Sequence, residues 1–89
     1  MNTLVVPEPH ATQVEFTADS LVVHLDDGRS ISAPLEWFPR LRSASAEARR
    51  DWRLIGRGIG VHWASLDEDL SVRGLLLGVR DIAPLMRAS

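Results

Sequence analysis

The residues most able to do chemistry lie in the segment 56–78. His62 in this segment is followed by an acidic corner that contains Asp67 and Asp69. A histidine near carboxylates could bind a metal ion or transfer protons. However, no second histidine stands near His62, and the acidic side chains also suit the first amides of a helix that begins after Ser71. We therefore predict no metal site, no cofactor and no catalytic residue.

Three glycines at alternate positions, Gly56, Gly58 and Gly60, invite comparison with a phosphate-binding loop. The dinucleotide-binding fingerprint follows a strand and opens a helix, whereas this run precedes an apolar stretch of strand type. A turn or bulge that leads into a strand is the favoured interpretation. The sequence also contains no cysteine, no G-x-S-x-G motif and no P-loop motif. The chain is therefore predicted not to be an enzyme and to have no small-molecule substrate.

Arginine is the only cationic residue type apart from histidine, and six of the ten arginines lie within 40–57. The net charge of the whole chain is −2. The favoured interpretation of this cluster is a solvated helix surface, because clustered charge on a helix usually is one. The alternative is a nucleic-acid-binding regulator, because arginines can neutralise phosphates. The contacts expected in that alternative are Arg42, Arg49, Arg50 and Arg53.

Length and composition indicate one small domain with a single hydrophobic core. The chain has 89 residues, of which 45% are hydrophobic, and no cysteine that could form a disulfide. No apolar stretch is long enough for a membrane span, and the first residues do not resemble a secretory signal. We therefore predict a cytoplasmic protein without membrane association. We expect an N-terminal arm at 1–11, a single compact domain at 12–79 and a C-terminal tail at 80–89.

Alternating apolar and polar residues predict three strands in the N-terminal half, at 14–17, 21–25 and 30–33. Asp27 and Gly28 lie between the second and third strands. An aspartate there can bond nearby amides, and a glycine can adopt the positive φ that a hairpin turn needs. Short connections between the strands predict an antiparallel meander.

The C-terminal half is predicted to contain one further strand and two short helices. After a single helical turn within 34–39, Ser45 is placed to cap a helix over 46–53 that buries Trp52. The strand at 59–63 is expected to return to the sheet that the meander forms.

The last helix is expected to begin after Ser71 and to end at Gly78, with Val72, Leu75 and Leu76 on one buried face. Together these elements predict the α+β class, with a small antiparallel sheet (a three-stranded meander plus a returning strand) and two short helices. The predicted turn and cap residues are Asp27, Gly28, Ser45, Asp67, Asp69, Ser71 and Gly78.

Three blocks of the sequence carry a family resemblance. They are D-D-G-R with P-L-x-W-F-P-R-L over 26–41, W-R-x-I-G-x-G-x-G-V-H-W over 52–63, and L-D-E-D-L-S-V-x-G-L-L-x-G over 66–78. Over about residues 14–78 the chain resembles the small bacterial domain-of-unknown-function family 2442. The resemblance implies a small α+β domain with an antiparallel sheet. Function is not established for that family.

The resemblance also bears on function in two ways. Some members of the family are encoded beside another small protein, in pairs that look like toxin–antitoxin modules. Some longer relatives carry an added C-terminal helix-turn-helix domain, which this chain is expected to lack because it ends at Ser89.

The residues and the resemblance together favour a non-enzymatic protein-interaction or regulatory module. Its narrower form is an antitoxin-like partner in a small bacterial or phage pair. We expect self-association or a protein partner, because a small domain gains stability from extra apolar burial. Tryptophan and arginine dominate interaction surfaces, although core packing is the competing interpretation of the aromatic residues. The predicted interaction surface is Trp37, Phe38, Arg40, Arg57, His62 and Trp63.

Overall fold

A three-stranded antiparallel sheet forms the first half of the protein, whose computed structural model describes residues 8–78. Its strands are β1 (Ala11–Phe16), β2 (Ser20–Leu25) and β3 (Ser30–Pro34), in the order β1-β2-β3. The predicted meander is therefore confirmed. Leu21 and Val23 of the central strand are almost fully buried, because alternate side chains of β2 point into the core.

The turn between β2 and β3 is stabilised by one aspartate. The Asp27 carboxylate accepts hydrogen bonds from the backbone N–H of Arg29 at 3.0 Å and from the Arg29 side-chain Nε at 2.8 Å. Both bonds hold the pKa of Asp27 below its ordinary value, and the bond from the Arg29 side chain has the larger effect. Gly28 follows with a φ of 90°. The side chain of Asp27 and the backbone freedom of Gly28 thus stabilise the hairpin turn.

Three short helical pieces connect this sheet to the rest of the chain. A 3-10 turn covers Leu35–Trp37, α1 covers Pro39–Arg42 and α2 covers Ala46–Arg50. Pro39 starts α1, where a missing backbone N–H costs nothing. The hydroxyl of Ser45 accepts a hydrogen bond from the backbone N–H of Ala48 at 3.0 Å and so caps α2.

The predicted helix over 46–53 is too long. It ends at Arg50, and Trp52 begins a strand that pairs with the strand of Trp63. Trp52 is partly buried and packs against the core. Cross-strand pairing of the two tryptophans outweighs the local helical pattern, because side-chain packing decides between helix and strand in so short a segment.

The second half contains its own three-stranded antiparallel sheet. Its strands are β4 (Trp52–Ile55), β5 (Gly60–Trp63) and β6 (Glu68–Ser71), in the order β4-β5-β6. The returning strand was expected to join the meander, but it pairs with two strands that the sequence did not indicate. The α+β class is confirmed, with two small sheets and three short helices.

The acidic corner does not cap the last helix, which corrects the prediction for Asp67 and Asp69. Asp67 occupies the turn before β6 with a φ of 51°, and Asp69 lies within β6 itself. The helix α3 (Val72–Leu77) is capped by Ser71, whose hydroxyl accepts a hydrogen bond from Gly74 N–H at 2.8 Å. It ends at Gly78 in the left-handed conformation.

Helix α3 buries a narrower face than its sequence suggests. Val72 and Leu75 are buried, as predicted, but Leu76 is 44% exposed. The helix contacts both β3 of the first sheet and β5 of the second, so it connects the two sheets.

The predicted arm at 1–11 lies mostly outside the described residues, and the predicted tail at 80–89 lies wholly outside them. Ala11, the last residue of the predicted arm, is the first residue of β1. Among the described residues, no helix has both the length and the apolar character that crossing a membrane requires.

The loop between β4 and β5 holds the start of β1 by a close backbone approach. Gly58 has a φ of 103°, and a Cβ atom at this position would lie 2.3 Å from the carbonyl oxygen of Ala11. Only glycine satisfies both constraints, so the alternate glycines serve as a turn that leads into β5.

Replacement of Gly58 by alanine is expected to lower the free energy of unfolding by about 2–4 kcal/mol, because it adds both a steric clash and backbone strain. Gly28→Ala is the matched control, since Gly28 also has positive φ but no atom near its ideal Cβ position. It should cost about 1–2 kcal/mol. Urea denaturation measures both variants. Equal losses of unfolding free energy in the two variants would contradict the close approach of Gly58 to Ala11.

Candidate functional site

The predicted interaction surface does not exist as one accessible surface. Phe38 and Trp63 are both 0% exposed and belong to the core, so they cannot contact a partner. Trp37 packs against the same core, with its ring centroid 6.5 Å from that of Phe38. The competing interpretation, core packing, is therefore correct for these aromatic residues.

Arg40, another member of that set, has a structural role. Its guanidinium Nη1 donates a hydrogen bond to the carbonyl oxygen of Asp67 at 2.6 Å and lies 3.7 Å from the carboxylate of Glu68. Glu68 is only 5% exposed. A buried carboxylate needs a nearby cation, so Arg40 attaches the turn before β6 to helix α1 and is not free to contact a ligand.

His62 lies on the outer face of the second sheet and forms a cross-strand pair. Its Nδ1 atom is hydrogen-bonded to the Asp69 carboxylate, and Arg53 is its neighbour on the other side in β4. Across the described residues, no three histidine or acidic side chains gather as a metal ion would require. The pair lies on an open sheet surface, where water competes for every contact.

A second histidine pair was missed by the sequence analysis. On the outer face of the first sheet, Nε2 of His24 is 2.5 Å from the Glu15 carboxylate, and its Nδ1 atom is 2.9 Å from the Ser30 hydroxyl. The order resembles a serine–histidine–acid relay. However, the Ser30 side chain is exposed and half of Glu15 is exposed, whereas acyl transfer depends on a water-excluded site. The row is best interpreted as a hydrogen-bonded ladder that joins three strands.

The arginine cluster is divided among different parts of the surface. Arg49 donates to the carbonyl oxygens of Leu41 at 2.9 Å and Arg42 at 2.8 Å, and its guanidinium lies 5.4 Å from the centre of the Phe16 ring. Arg49 therefore fastens α2 to α1 and β1.

The other arginines of the cluster do not share one face. Arg42 lines, together with Arg49, a polar cleft of about 620 Å³ that also contains Asp19 and Glu36. Arg50 lies in another depression with Glu47, and Arg53 is on the outer face of the second sheet. Carboxylates lie near the arginines in each of these regions. The arginines therefore do not form the continuous basic surface that favours binding of a phosphate backbone.

An apolar groove lies where the loop after β4 meets helix α3. It has a volume of about 280 Å³, and its aliphatic lining residues are Pro9, Ile59, Val72 and Leu76. Ile59 is 54% exposed and Leu76 is 44% exposed. Glu8, Ser71 and Arg73 complete the lining. Two large aliphatic side chains thus meet water across one concave surface.

A further exposed aliphatic residue lies on the second sheet. Ile55, which is 37% exposed, is the register partner of Gly60, and Gly60 is the partner of the groove residue Ser71. The sequence did not indicate this groove, because its pattern placed Ile59 within a strand and Leu76 on a buried helix face. The signal available was a pair of isoleucines on either side of a glycine turn.

One arginine, Arg73, lines the groove, and another, Arg57, lies in the loop that precedes Ile59. Arg57 lies between Ile55 and Ile59 and has a φ of 63°, a left-handed conformation that is uncommon for a residue with a side chain. Within the described part of the chain, no hydrogen bond or ion pair engages its side chain. Arg73 is 78% exposed in its side chain and lies 3.7 Å from the Glu8 carboxylate.

The family model described as "Protein of unknown function (DUF2442)" matches residues 11–81. The chain belongs to the DUF2442 family. The match starts at the first residue of β1 and includes both sheets and α3. Most of the groove lies within the matched residues, including Ile59 and Leu76, whereas Glu8 and Pro9 precede them.

Two solved structures resemble this DUF2442 chain. A crystal structure of a protein of unknown function from Rhodospirillum rubrum is 29% identical, with a TM-score of 0.75, and the alignment covers 90% of this chain and 99% of that one. A solution NMR structure of an uncharacterized protein from Chromobacterium violaceum is 26% identical, with a TM-score of 0.72, and the alignment covers 89% and 74%. No curated protein matches the chain. These similarities support the fold and leave its function to be argued from the site.

Trp63→Phe is expected to lower the free energy of unfolding by about 2 kcal/mol. The variant removes the indole N–H that donates to the Arg49 carbonyl oxygen at 3.0 Å, and it leaves a gap in a fully buried position. Trp52→Phe, the matched change in the facing strand, should cost less than about 1 kcal/mol because Trp52 is only half-buried. Urea denaturation followed by circular dichroism compares the two. A larger loss for Trp52→Phe would show that the core is misassigned.

Proposed function

We propose that this DUF2442 protein is a non-enzymatic protein-interaction module and that the apolar groove is its binding surface. The observation that carries the proposal is the exposure of Ile59 and Leu76 across one concave surface. Single exposed aliphatic residues are common on proteins, but a continuous apolar surface with a charged border is typical of an interaction site.

The size and lining of the groove support a protein partner over a small substrate. At about 280 Å³ it lies slightly below the range of sites that enclose small molecules. Aliphatic side chains dominate its lining, and they offer few directed polar groups to orient a reacting molecule. A partner can instead bury one or two of its own aliphatic side chains there, which is how interface anchors gain most of their binding energy.

The nucleic-acid alternative receives less support. Arg40 and Arg49 are bonded within the protein, and the remaining arginines of the cluster occupy separate regions with carboxylates among them. Phosphate binding depends on several cations that act together along one backbone. An exposed apolar groove contributes nothing to such binding.

Photocrosslinking tests the proposed surface. A benzophenone amino acid placed at Ile59 is expected to form an adduct with one protein partner in native cells, because this side chain borders the groove. The same amino acid at Leu54 is the control, since Leu54 is 39% exposed but points to the opposite face of β4 from Ile55. The purified partner should then bind the Leu76→Gln variant about tenfold more weakly than the unmodified protein.

Three results would contradict the proposed surface. They are equal protein adducts from both positions, adducts with nucleic acid alone, and a partner whose affinity does not change in Leu76→Gln. Equal unfolding midpoints for the variant and the unmodified protein would establish that any loss of binding reflects the groove.

The narrower antitoxin-like role is part of this proposal and has its own test. If the crosslinked partner is a toxin, its expression alone should arrest growth, and co-expression with this protein should restore growth. Leu76→Gln should restore growth less well, because it weakens the neutralising contact. A partner that leaves growth unchanged would refute the antitoxin-like role and leave the interaction module intact.

A further inference from the structure

We propose that the bond between Asp27 and Gly28 is a site of spontaneous isomerisation to isoaspartate and that Arg29 is the residue that protects it. This site lies in the turn between β2 and β3 and is independent of the groove. Asp27 is the only aspartate in the sequence that is followed by glycine. Glycine favours this reaction because it has no Cβ atom to hinder the approach of its backbone nitrogen to the preceding side chain.

The reaction is a dehydration followed by a hydrolysis. The Gly28 backbone nitrogen attacks the Cγ atom of Asp27, a C–N bond forms, and the side-chain hydroxyl leaves as water with the proton of the nitrogen. Water then opens the resulting five-membered imide at one of its two carbonyl groups. Opening at the side-chain carbonyl restores aspartate, whereas opening at the main-chain carbonyl gives isoaspartate. The two steps together consume no water and need no cofactor, oxidant or reductant.

The turn leaves room for both steps. Gly28 has a φ of 90°, and a Cβ atom at this position would meet no described atom within 4 Å. The Asp27 side chain is 37% exposed, so water reaches an imide that forms there. Packing against neighbouring elements therefore does not block the reaction, and protection has to come from the polar contacts of the turn itself.

Arg29 holds the attacked group in its unreactive form. Its Nε and Nη2 atoms each lie 2.8 Å from Oδ2 of Asp27, and its backbone N–H donates to Oδ1 at 3.0 Å. These contacts stabilise the ionised carboxylate, and the pKa of Asp27 is lowered, chiefly by the hydrogen bond from the Arg29 side chain. A carboxylate has no hydroxyl to release as water, so only the rare protonated form reacts. The contacts also restrict the side-chain rotation that ring closure requires.

The attacking nitrogen is engaged as well. The Gly28 N–H donates to the Leu25 carbonyl oxygen at 3.3 Å, and this bond has to break before the nitrogen attacks Asp27. The bond is longer than most backbone hydrogen bonds, whereas the bonds from Arg29 to the carboxylate are short and charge-assisted. The stronger protection therefore lies at the carboxylate and depends on Arg29.

Isoaspartate at position 27 would lengthen the turn. The main chain would pass through the former side chain, which adds one carbon atom between β2 and β3, and the carboxylate would leave its contacts with Arg29. The present turn sets a register in which Val23 pairs with Ile31. The isomerised protein should therefore unfold at a lower urea concentration than the unmodified protein.

Peptide mapping of protein incubated in heavy-oxygen water tests this inference. Hydrolysis of the imide introduces one oxygen atom from water, so the peptide that contains Asp27 gains mass only where an imide has formed. Chromatography then separates its aspartate and isoaspartate forms. At neutral pH, below the unfolding midpoint, Arg29→Ala should isomerise about tenfold faster than the unmodified protein, because it removes the side-chain contacts to the carboxylate. Unmodified protein unfolded in guanidinium chloride should react at least as fast as folded Arg29→Ala.

Three further variants assign the effect to particular groups. Arg73→Ala is the matched control, since it removes another exposed arginine that lies near a carboxylate, and it should isomerise at the rate of the unmodified protein. Asp27→Glu should show no mass gain at this turn, because glutamate has to close a larger ring. Arg29→Gln repeats the comparison if circular dichroism shows that Arg29→Ala is unfolded.

Equal rates in Arg29→Ala and the unmodified protein would overturn the protective role of Arg29, and an equal acceleration in Arg73→Ala would do the same. The site itself is overturned if the unfolded chain forms no isoaspartate at Asp27, or if another aspartate, such as Asp19 before Ser20, gains mass faster there. A faster reaction in Arg29→Ala, with Arg73→Ala unchanged, supports both parts of the inference. None of these results concerns the groove, so this inference and the proposed function fail separately.

Discussion

The burial of Trp63 between the two sheets is the contact on which the rest of the structure depends. Its side chain is fully buried, its ring meets Phe16 of the first sheet edge-on at 6.2 Å, and its indole N–H donates to the Arg49 carbonyl oxygen. A buried indole needs such a partner, since an unpaired donor would carry the full cost of its lost hydration. The Arg49 side chain lies against the same Phe16 ring and bonds the end of α1. One tryptophan and one arginine therefore join both sheets and two helices.

This junction also determines where a binding surface can form. Trp63 ends β5, and Gly60 begins it, so the strand connects the buried junction directly to the groove. At the groove end, Gly58 allows the start of β1 to approach the loop, and Val72 N–H donates to the Ile59 carbonyl oxygen at 2.9 Å. These backbone contacts leave the Ile59 side chain facing water while its main chain is fixed. A rigid backbone beneath exposed aliphatic side chains reduces the conformational cost of binding.

Local sequence signals predicted the elements that local interactions determine. The alternation in β2, the turn chemistry of Asp27 and Gly28, and the hydroxyl caps Ser45 and Ser71 each act over a few residues. Strands β4 and β6 were missed because their four residues show no clear alternation, and only pairing with β5 makes them strands.

The candidate site was harder to predict for a related reason. In a short strand, inward and outward positions differ by a single residue, and the sequence does not show which set meets the core. Trp63 was therefore placed on the interaction surface, with core packing as the competing interpretation, whereas Leu76, in a helix of six residues, was assigned to the core. Each assignment depends on packing between distant segments. The arginine cluster was recognisable in the sequence, but its division among separate surfaces follows only from the packing of α1, α2 and β4.

The central claim is that the groove, not the buried aromatic residues or the arginine-lined cleft, is the surface that meets a partner. Amide chemical shifts of the isotope-labelled protein, titrated with the crosslinked partner, test it most directly. We expect shift changes concentrated at residues 55–60 and 71–76, with the Trp63 indole N–H unchanged. Changes centred on Arg42 and Arg49 with an unaffected groove, or a displaced Trp63 indole signal, would contradict it.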